Sequence, residues 1–294
     1  MSIVLGVLEE GLIYAVMALG VYITYKILDF PDLSVDGTFP LGAAVTAMLI
    51  IKGVHPAATL FLAFLAGAFA GCVTGFIHVK MKVRDLLSGI IVMTALYSIN
   101  LRIAGKANVP IFSQETIFEN EFLAAHVPES VEDFTVVIIL LLIVLAGKIL
   151  LDLYLNTRSG YLLRAVGDNE VLVTSLAKDK GIVKIIGLAI ANGFAALSGC
   201  VYCQQKGFFE ISIGTGTMVI GLASVIIGTK LFKRLGRLKA TTAVVFGSIV
   251  YKACVSIAIA LGMAASDLKL ITAVLFLGIL VFSNYKEGKV KTRA

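Results

Sequence analysis

The sequence predicts an all-α, polytopic membrane helix bundle that forms a single domain over residues 1–294. The chain is 59% hydrophobic and 15% charged, whereas soluble domains carry about 25% charged residues. Its mean hydropathy is +0.97, and the apolar residues are gathered in long runs separated by short polar stretches. A soluble core could not bury this much apolar surface, so lipid must cover part of it.

Nine apolar runs are candidate membrane segments, because a helix needs about 20 mostly apolar residues to cross a bilayer. Two short runs, 38–52 and 214–230, are rich in glycine and threonine and are predicted to be broken or re-entrant. Whether the stretches 28–52 and 205–230 cross fully stays open, so we expect eight or nine segments. The runs are 11–28, 38–52, 57–79, 86–104, 134–154, 183–203, 214–230, 239–262 and 267–285.

The charged residues predict the orientation. The net charge of +6 comes from Lys and Arg clusters between apolar runs, which excludes a separate basic domain for nucleic acid and fits the positive-inside rule. The acidic loop of about 105–133 is therefore predicted outside and the C-terminus in the cytoplasm. The N-terminus lies outside if 38–52 crosses, and inside if it is re-entrant. The basic stretches are 78–84, 157–184, 230–239 and 286–293.

No catalytic, metal-binding or nucleotide-binding pattern appears in the sequence. The histidines, His55, His78 and His126, have no Cys, Asp or Glu partner at ligand spacing. Gly228-Thr-Lys230 lacks the residue order of a P-loop. The sequence places no clear ionisable residue near the middle of a crossing, where ion-coupled transporters keep one. We therefore expect no enzyme activity, cofactor or metal, and energy for transport must come from another polypeptide.

Three glycines predict a close helix contact. Gly67, Gly71 and Gly75 recur at every fourth position, which places small residues on one helix face. Such a face lets a second helix approach either within the chain or between subunits, and the contact within the chain is favoured.

The longest cytoplasmic loop is predicted to contain a short amphipathic helix. Leu172 and Leu176 are spaced as part of one helical face, Asp168 or Asn169 can cap its start, and Gly181 can end it. Such a helix would dock in a groove of a partner protein or rest on lipid head groups. The pattern alone does not separate these two functions.

This loop also carries a family resemblance. Arg158-Ser-Gly160, Arg164-Ala165 and the ending Ala177-x-x-x-Gly181-Ile182 resemble the cytoplasmic loop of bacterial inner-membrane permeases for branched-chain amino acids, ribose and related solutes. These permeases are the membrane subunits of ATP-binding-cassette importers. The resemblance covers nearly the whole chain, through Gly11 to Gly20, the polar break Asp29 to Gly37, Ala195 to Gly199, and Gly214-x-Gly216 onwards.

Two stretches depart from the family pattern. The polar break Asp29-Phe-Pro-Asp-Leu-Ser-Val-Asp-Gly37 is longer and richer in aspartate than the Asn-Phe-Ala-His-Gly of typical amino acid permeases. Thr-Lys-Leu-Phe-Lys follows Gly228 where the family has Gly-Gly-Ile-Gly. The break is similar to the branch often paired with binding lipoproteins for hydrophobic or aromatic amino acids, but the sequence does not name the solute.

The resemblance implies several partners in the bacterial inner membrane. They are a separate ATPase subunit, an extracellular solute-binding lipoprotein, and a second permease copy that forms a homodimer, although a related chain could replace that copy. In the family, the short helix in the loop of about 157–182 couples the permease to the ATPase. The residues to which the resemblance assigns this role are Arg158, Arg164, Gly167, Asp168, Asn169, Asp179 and Gly181.

The translocation path is sought among polar residues of the apolar runs. The three aspartates of the break would either line the path on a discontinuous helix or form a solvated turn. An acidic path would suit a cationic group such as an ammonium. The hydroxyl and amide residues would either line the path or hydrogen-bond between helices. The path candidates are Asp29, Asp32, Ser34, Asp36, Thr94, Ser98 and Asn192, with Thr38 and Asn100 as further members.

Two other functions compete with an importer. An ion-coupled secondary transporter or channel would need an ion site, which the sequence does not show. A membrane scaffold without transport activity is the third hypothesis.

Overall fold

The computed structural model describes residues 2–126, 128, 132–168, 179–232, 238–262, 267, 270–278 and 281, and these form a helix bundle with one small sheet. Residues 270–278 are helical as well. The elements are α1 (Ser2–Val21), a π-helical turn (Tyr22–Ile27), α2 (Val35–Ile51), α3 (Pro56–Lys80), α4 (Asp85–Ala104), β1 (Asn108–Pro110), α5 (Glu121–His126), α6 (Glu132–Leu155), α7 (Arg158–Asp168), α8 (Lys180–Lys206), β2 (Phe208–Glu210), a 3-10 turn (Ile211–Gly214), α9 (Thr217–Leu231) and α10 (Ala240–Ala260).

Seven helices of the described chain are long and apolar enough to cross a membrane, which confirms the predicted polytopic bundle. α2 is apolar but has only 17 residues. The predicted run 267–285 lies only partly within the described residues. The seven spans are Ile3–Ile27, Pro56–Lys80, Asp85–Ala104, Phe134–Leu155, Lys180–Lys206, Ile211–Leu231 and Ala240–Ala260.

α8 lies at the centre of the bundle, against α1, α2 and α3. It runs antiparallel to α3, since Gly67 contacts Asn192 and Gly75 contacts Ile185. It runs parallel to α2, which contacts Asn192 near its start and clusters through Ile50 with Cys203 near its end. The chain therefore reverses direction at the polar break, and α2 returns to the end of the bundle where α1 begins.

The three glycines of α3 pack against α8, so the contact within the chain predicted for them is confirmed. A Cβ on Gly71 would collide with the carbonyl oxygen of Leu188, and a Cβ on Gly67 would collide with that of Asn192. Glycine is required because any side chain would hold the two backbones apart.

The two ends of the bundle carry different structures. At one end, β1 follows α4 and pairs antiparallel with β2, which follows α8. At the other end, α7 packs on the π-helical turn directly before the polar break, where a Cβ on Gly167 would collide with the carbonyl oxygen of Ile27. We call these the hairpin end and the α7 end. The loops predicted on opposite membrane sides thus start from opposite ends of the bundle.

Candidate functional site

A buried polar cluster joins the polar break to the central helix. It consists of Asp32, Ser34, Thr38 and Asn192, and each of them is 0% exposed. The Asn192 Nδ2 donates to Asp32 Oδ2 at 2.7 Å, and the Asn192 Oδ1 accepts from the hydroxyls of Ser34 at 3.0 Å and Thr38 at 2.8 Å. Every named polar atom is therefore satisfied, as buried polar groups require.

The local sequence fixes this cluster. Asp29 adopts a φ of +51°, in the left-handed region, where the chain turns out of the π-helical turn. The backbone N–H of Ser34 then donates to Asp32 Oδ1 at 2.9 Å, a side-chain turn typical of aspartate. Burial raises the pKa of the Asp32 carboxyl, while the hydrogen bonds from Ser34 and Asn192 act to lower it.

Asp36 holds the start of α9. Its carboxylate accepts from the N–H groups of Gly216 at 2.9 Å and Met218 at 2.7 Å, and from the Thr217 hydroxyl at 3.0 Å. A carboxylate at a helix N-terminus satisfies free N–H groups and interacts favourably with the helix dipole. Asp36 therefore couples α2 to α9 across the bundle.

A cavity of about 370 Å³ lies beside Asp36, between α2, α4 and the 3-10 turn. Such a volume is near the lower end of the range for small-molecule sites, about 300–1,000 Å³. Asp36 is its one charged residue among the described lining residues, and apolar and neutral polar side chains form the rest of the wall. The lining residues are Asp36, Gly37, Pro40, Met93, Thr94, Tyr97, Asn100, Ile211 and Thr215.

Asn100 is the unusual member of this wall. It is 0% exposed, and its Nδ2 donates to the Gly37 carbonyl oxygen at 3.0 Å. Its Oδ1 is buried and has no hydrogen-bond partner within the described ranges.

The predicted path residues fall into three groups. Asp32, Ser34 and Asn192 form the buried cluster, so they bond between helices rather than line the cavity. Asp36 and Thr94 line the cavity. Asp29 is exposed in the break, and Ser98 is exposed on α4 outside the cavity wall. The structure adds Tyr97 to the residues that line the cavity. Tyr97 lies three residues before Asn100 on α4, and this spacing places both side chains on one face of the helix.

α7 presents a polar face to its surroundings. Leu163 and Val166 are buried against the bundle, whereas the opposite face is exposed. Tyr161 is 59% exposed on that face, and it is not among the residues that the sequence predicts there. The exposed residues of the face are Arg158, Tyr161, Arg164 and Asp168.

The prediction that Gly181 ends a helix is wrong. The Asp179 carboxylate accepts from the N–H groups of Gly181 at 2.8 Å and Ile182 at 3.4 Å, so a helix starts at this point. Gly181 is in the first turn of α8, where a Cβ would collide with Val79. Asp168 is the last residue of α7, whereas Asn169, Leu172 and Leu176 lie outside the described residues.

A second cavity, of about 210 Å³, lies at the α7 end. Asp152 in its wall accepts from Lys148 at 3.1 Å, Lys239 at 3.3 Å and the Thr241 hydroxyl at 2.7 Å. Arg164 of α7 lines the same cavity. The cavity therefore connects the exposed face of α7 to α6 and α10.

An ion cluster at the hairpin end joins α1, α8 and α10, and it includes Lys206, the last residue of α8. Lys252 of α10 is only 12% exposed at its side chain, and it bonds to Glu10 of α1 at 3.1 Å. Lys206 of α8 bonds to the same carboxylate at 3.1 Å. The ammonium of Lys252 also lies 4.1 Å from the ring centre of Tyr14, a cation–π geometry.

Across the part of the chain that the structure describes, no three His, Cys, Asp or Glu side chains are placed to hold a metal ion.

Comparison with known proteins gives a consistent result. Residues 3–283 match the family model of the permease component of branched-chain amino acid transport systems. The chain is 45% identical over 294 residues to a tyrosine transport system permease protein of Clostridioides difficile, which covers 100% of this chain and 96% of that protein. It is 34% identical over 293 residues to an uncharacterized protein of Rickettsia prowazekii, covering 98% and 99% of the two chains.

A more distant relative is the ribose import permease protein of Haemophilus influenzae. It is 24% identical over 245 residues, which cover 81% of this chain and 72% of that protein. No solved structure matches the chain.

Proposed function

The chain belongs to the family of permease components of branched-chain amino acid transport systems, and from that premise we propose that it imports a hydrophobic or aromatic amino acid, with tyrosine as the first candidate. It is the membrane-spanning permease of an ATP-binding-cassette transporter and not an enzyme. Tyrosine is the solute named for the relative from Clostridioides difficile.

The cavity of about 370 Å³ is the observation that carries this proposal. The carboxylate of Asp36, the amide of Asn100 and the hydroxyls of Thr94, Tyr97 and Thr215 share its wall with apolar side chains. A small zwitterion with an apolar or aromatic side chain suits such a wall better than a sugar, whose many hydroxyls would each need a partner.

A second copy of the chain completes the path in this proposal. The side of α4 next to the cavity is exposed at Thr94, Tyr97 and Ser98 in the single chain. Hydroxyl-bearing side chains exposed in a membrane segment face a protein or a water-filled cavity more readily than lipid. A second copy across this face would close the path, and an extracellular binding protein would deliver the solute to it.

The coupling to ATP hydrolysis runs through α7 in this proposal. The ATPase would bind the exposed face of α7 and the loop that follows it. α7 contacts Ile27 and Leu28 through Gly167 and Leu163, directly before the polar break. A movement of α7 would therefore be transmitted along the chain from Ile27 and Leu28 to Asp36 and the cavity. π-helical turns, such as the one that ends at Ile27, are frequent at functional sites.

The positive-inside rule assigns the sides of the membrane. The α7 end carries Lys80, Lys82 and Arg84 between α3 and α4, so it would be cytoplasmic. The hairpin end, where α1 begins, would then be outside and would receive the binding protein. In this orientation α10 starts inside, and one further crossing would return the C-terminus to the cytoplasm.

Reconstituted transport tests the function. Proteoliposomes that contain the permease, its ATPase and its binding protein are expected to accumulate labelled tyrosine only when ATP is present on the ATPase side. Ribose serves as the control solute and is expected not to accumulate. Uphill tyrosine uptake by the permease alone, driven by an ion gradient, would instead support the ion-coupled transporter.

Replacing the charges of α7 tests the docking face. Arg164→Ala with Asp168→Ala is expected to reduce recovery of the ATPase in a pull-down by about tenfold, because arginine is enriched among the few interface residues that carry most of the binding energy. Arg102→Ala, an exposed arginine near the hairpin end, is the matched control. Full ATPase recovery with the α7 variant would remove this face from the interface.

A further inference from the structure

We propose that Asn100 is a specificity-determining residue, whose amide oxygen accepts a hydrogen bond from the ammonium group of the amino acid in transit. The inference rests on the proposed function and names the solute group that the cavity of about 370 Å³ recognises. Three features support this role: the unpaired amide oxygen of Asn100, the carboxylate of Asp36 in the same cavity, and the apolar composition of the remaining cavity wall.

The unpaired atom is the first argument. The Asn100 Nδ2 is held at 3.0 Å by the Gly37 carbonyl oxygen, which fixes the amide with its Oδ1 as the free acceptor. That oxygen is buried and has no partner within the described ranges, and Asn100 lines the cavity. A buried acceptor without a donor is unfavourable, so a ligand that brings a donor would be stabilised there.

The charge of the wall is the second argument. Asp36 lines the same cavity, and the described lining residues include no lysine or arginine. The three donors that hold Asp36 come from its α9 side and favour its charged form, against the burial that disfavours it. A carboxylate and a free amide oxygen in one wall suit a cationic donor, and an ammonium group is the cationic donor of an amino acid.

The remaining wall supports the same ligand class. Pro40, Met93, Tyr97 and Ile211 give apolar and aromatic surface for the solute side chain. The Thr94 hydroxyl already donates to the Ile90 carbonyl oxygen at 2.8 Å, so it is free only to accept. The wall therefore has acceptors for a donor-bearing cation and apolar surface for the rest of the molecule.

This inference is tested by measuring the binding of two solutes to the permease–ATPase complex in nanodiscs, in the absence of the binding protein. The probes are tyrosine and 3-(4-hydroxyphenyl)propionate, which has the same side chain and carboxylate but no ammonium. Saturation-transfer NMR with competition measures such weak affinities. The wild-type complex is expected to bind tyrosine about tenfold more tightly, because a hydrogen bond to a charged group is worth about that factor.

Two substitutions at Asn100 and one control complete the test. Asn100→Leu is expected to reduce the ratio of the two affinities to about one, while Asn100→Asp, which keeps an acceptor, retains or increases the preference. Thr229→Val keeps the wild-type ratio, since the Thr229 hydroxyl donates to the Val225 carbonyl oxygen of its own helix at 2.7 Å and lies outside the wall. ATPase recovery with each variant shows that the variant is folded.

The outcomes separate this inference from the proposed function. A wild-type ratio near one, or an unchanged ratio in Asn100→Leu, overturns the role of Asn100 even if tyrosine is imported. The wild-type comparison needs no variant, so it decides the matter even if substitutions at Asn100 disturb folding. Failure of the reconstituted complex to import any amino acid would remove the proposed function itself.

Discussion

Replacing Asn192 with leucine is expected to lower the free energy of unfolding by about 2–3 kcal/mol, the upper part of the range for a lost hydrogen bond to a buried carboxyl group. Asn192 donates to Asp32 at 2.7 Å and accepts from Ser34 and Thr38. All four side chains are 0% exposed, so water cannot replace the lost hydrogen bonds. Equilibrium unfolding in mixed micelles, followed by the loss of helical signal, measures the change.

A control on the same helix isolates the contribution of the cluster. The Ser198 hydroxyl donates to the Ile13 carbonyl oxygen at 2.6 Å and is also fully buried. Ser198→Ala removes one hydrogen bond between neutral groups and is expected to cost about 1 kcal/mol. Combining Asn192→Leu with Asp32→Leu is expected to recover part of the loss, because the unpaired carboxylate is removed. If Asn192→Leu and Ser198→Ala lower the free energy of unfolding equally, then Asn192 does not stabilise the Asp32 carboxyl group beyond an ordinary hydrogen bond.

The hydrophobic runs of the sequence predict most of this fold. Long apolar runs decide where helices form, and the four-residue spacing of Gly67, Gly71 and Gly75 indicates a face for close packing. The spacing does not identify the partner helix, because α8 lies more than a hundred residues further along the chain. Only the folded chain shows that the glycines contact Leu188 and Asn192.

The polar site could be predicted only as a set of residue types. Asp32 and Asn192 are both predicted path residues because they are polar residues in apolar surroundings, but they are 160 positions apart in the sequence. No local pattern joins them, so their hydrogen bond could not be derived from spacing. The same limit applies to Asn100, whose distinctive feature is the missing partner of one oxygen atom.

At Gly181 the local sequence is ambiguous, because the same residues are compatible with the end of one helix and with the start of another. A glycine after an amphipathic stretch is typical of a helix end, and an aspartate two positions earlier is typical of a helix start. In the structure the Asp179 carboxylate caps α8 and Gly181 permits a close contact with Val79. The capping hydrogen bonds and the tight packing together favour a start at this position.

The sequence pattern does not distinguish Lys252, because a single lysine barely lowers the mean hydropathy of a long apolar run. Its neighbours in α10 are apolar or small, and its partner Glu10 lies 242 positions away. A charge at such a site is stabilised by a partner or by water at the membrane surface. Glu10 provides the partner, and it binds Lys206 as well.

Glu10→Gln is therefore expected to destabilise the chain by about 2 kcal/mol, less than a broken fully buried ion pair, because the Glu10 side chain is 38% exposed. The variant leaves the ammonium of Lys252, which is 12% exposed, without its carboxylate. Lys206 is 30% exposed, so it can extend to water and loses little. Glu9→Gln is the control, since the Glu9 carboxylate accepts from the neutral Gln205 at 2.9 Å, and it is expected to cost under about 1 kcal/mol.

The double variant Glu10→Gln with Lys252→Met decides whether the charge of Lys252 causes the loss. Methionine fills a similar volume without a charge, so the double variant is expected to be more stable than Glu10→Gln alone by about 1–2 kcal/mol. Equilibrium unfolding under the same conditions measures all four proteins. If the double variant is no more stable than Glu10→Gln, then Lys252 reaches water without Glu10, and the ion cluster does not join α1 to α10.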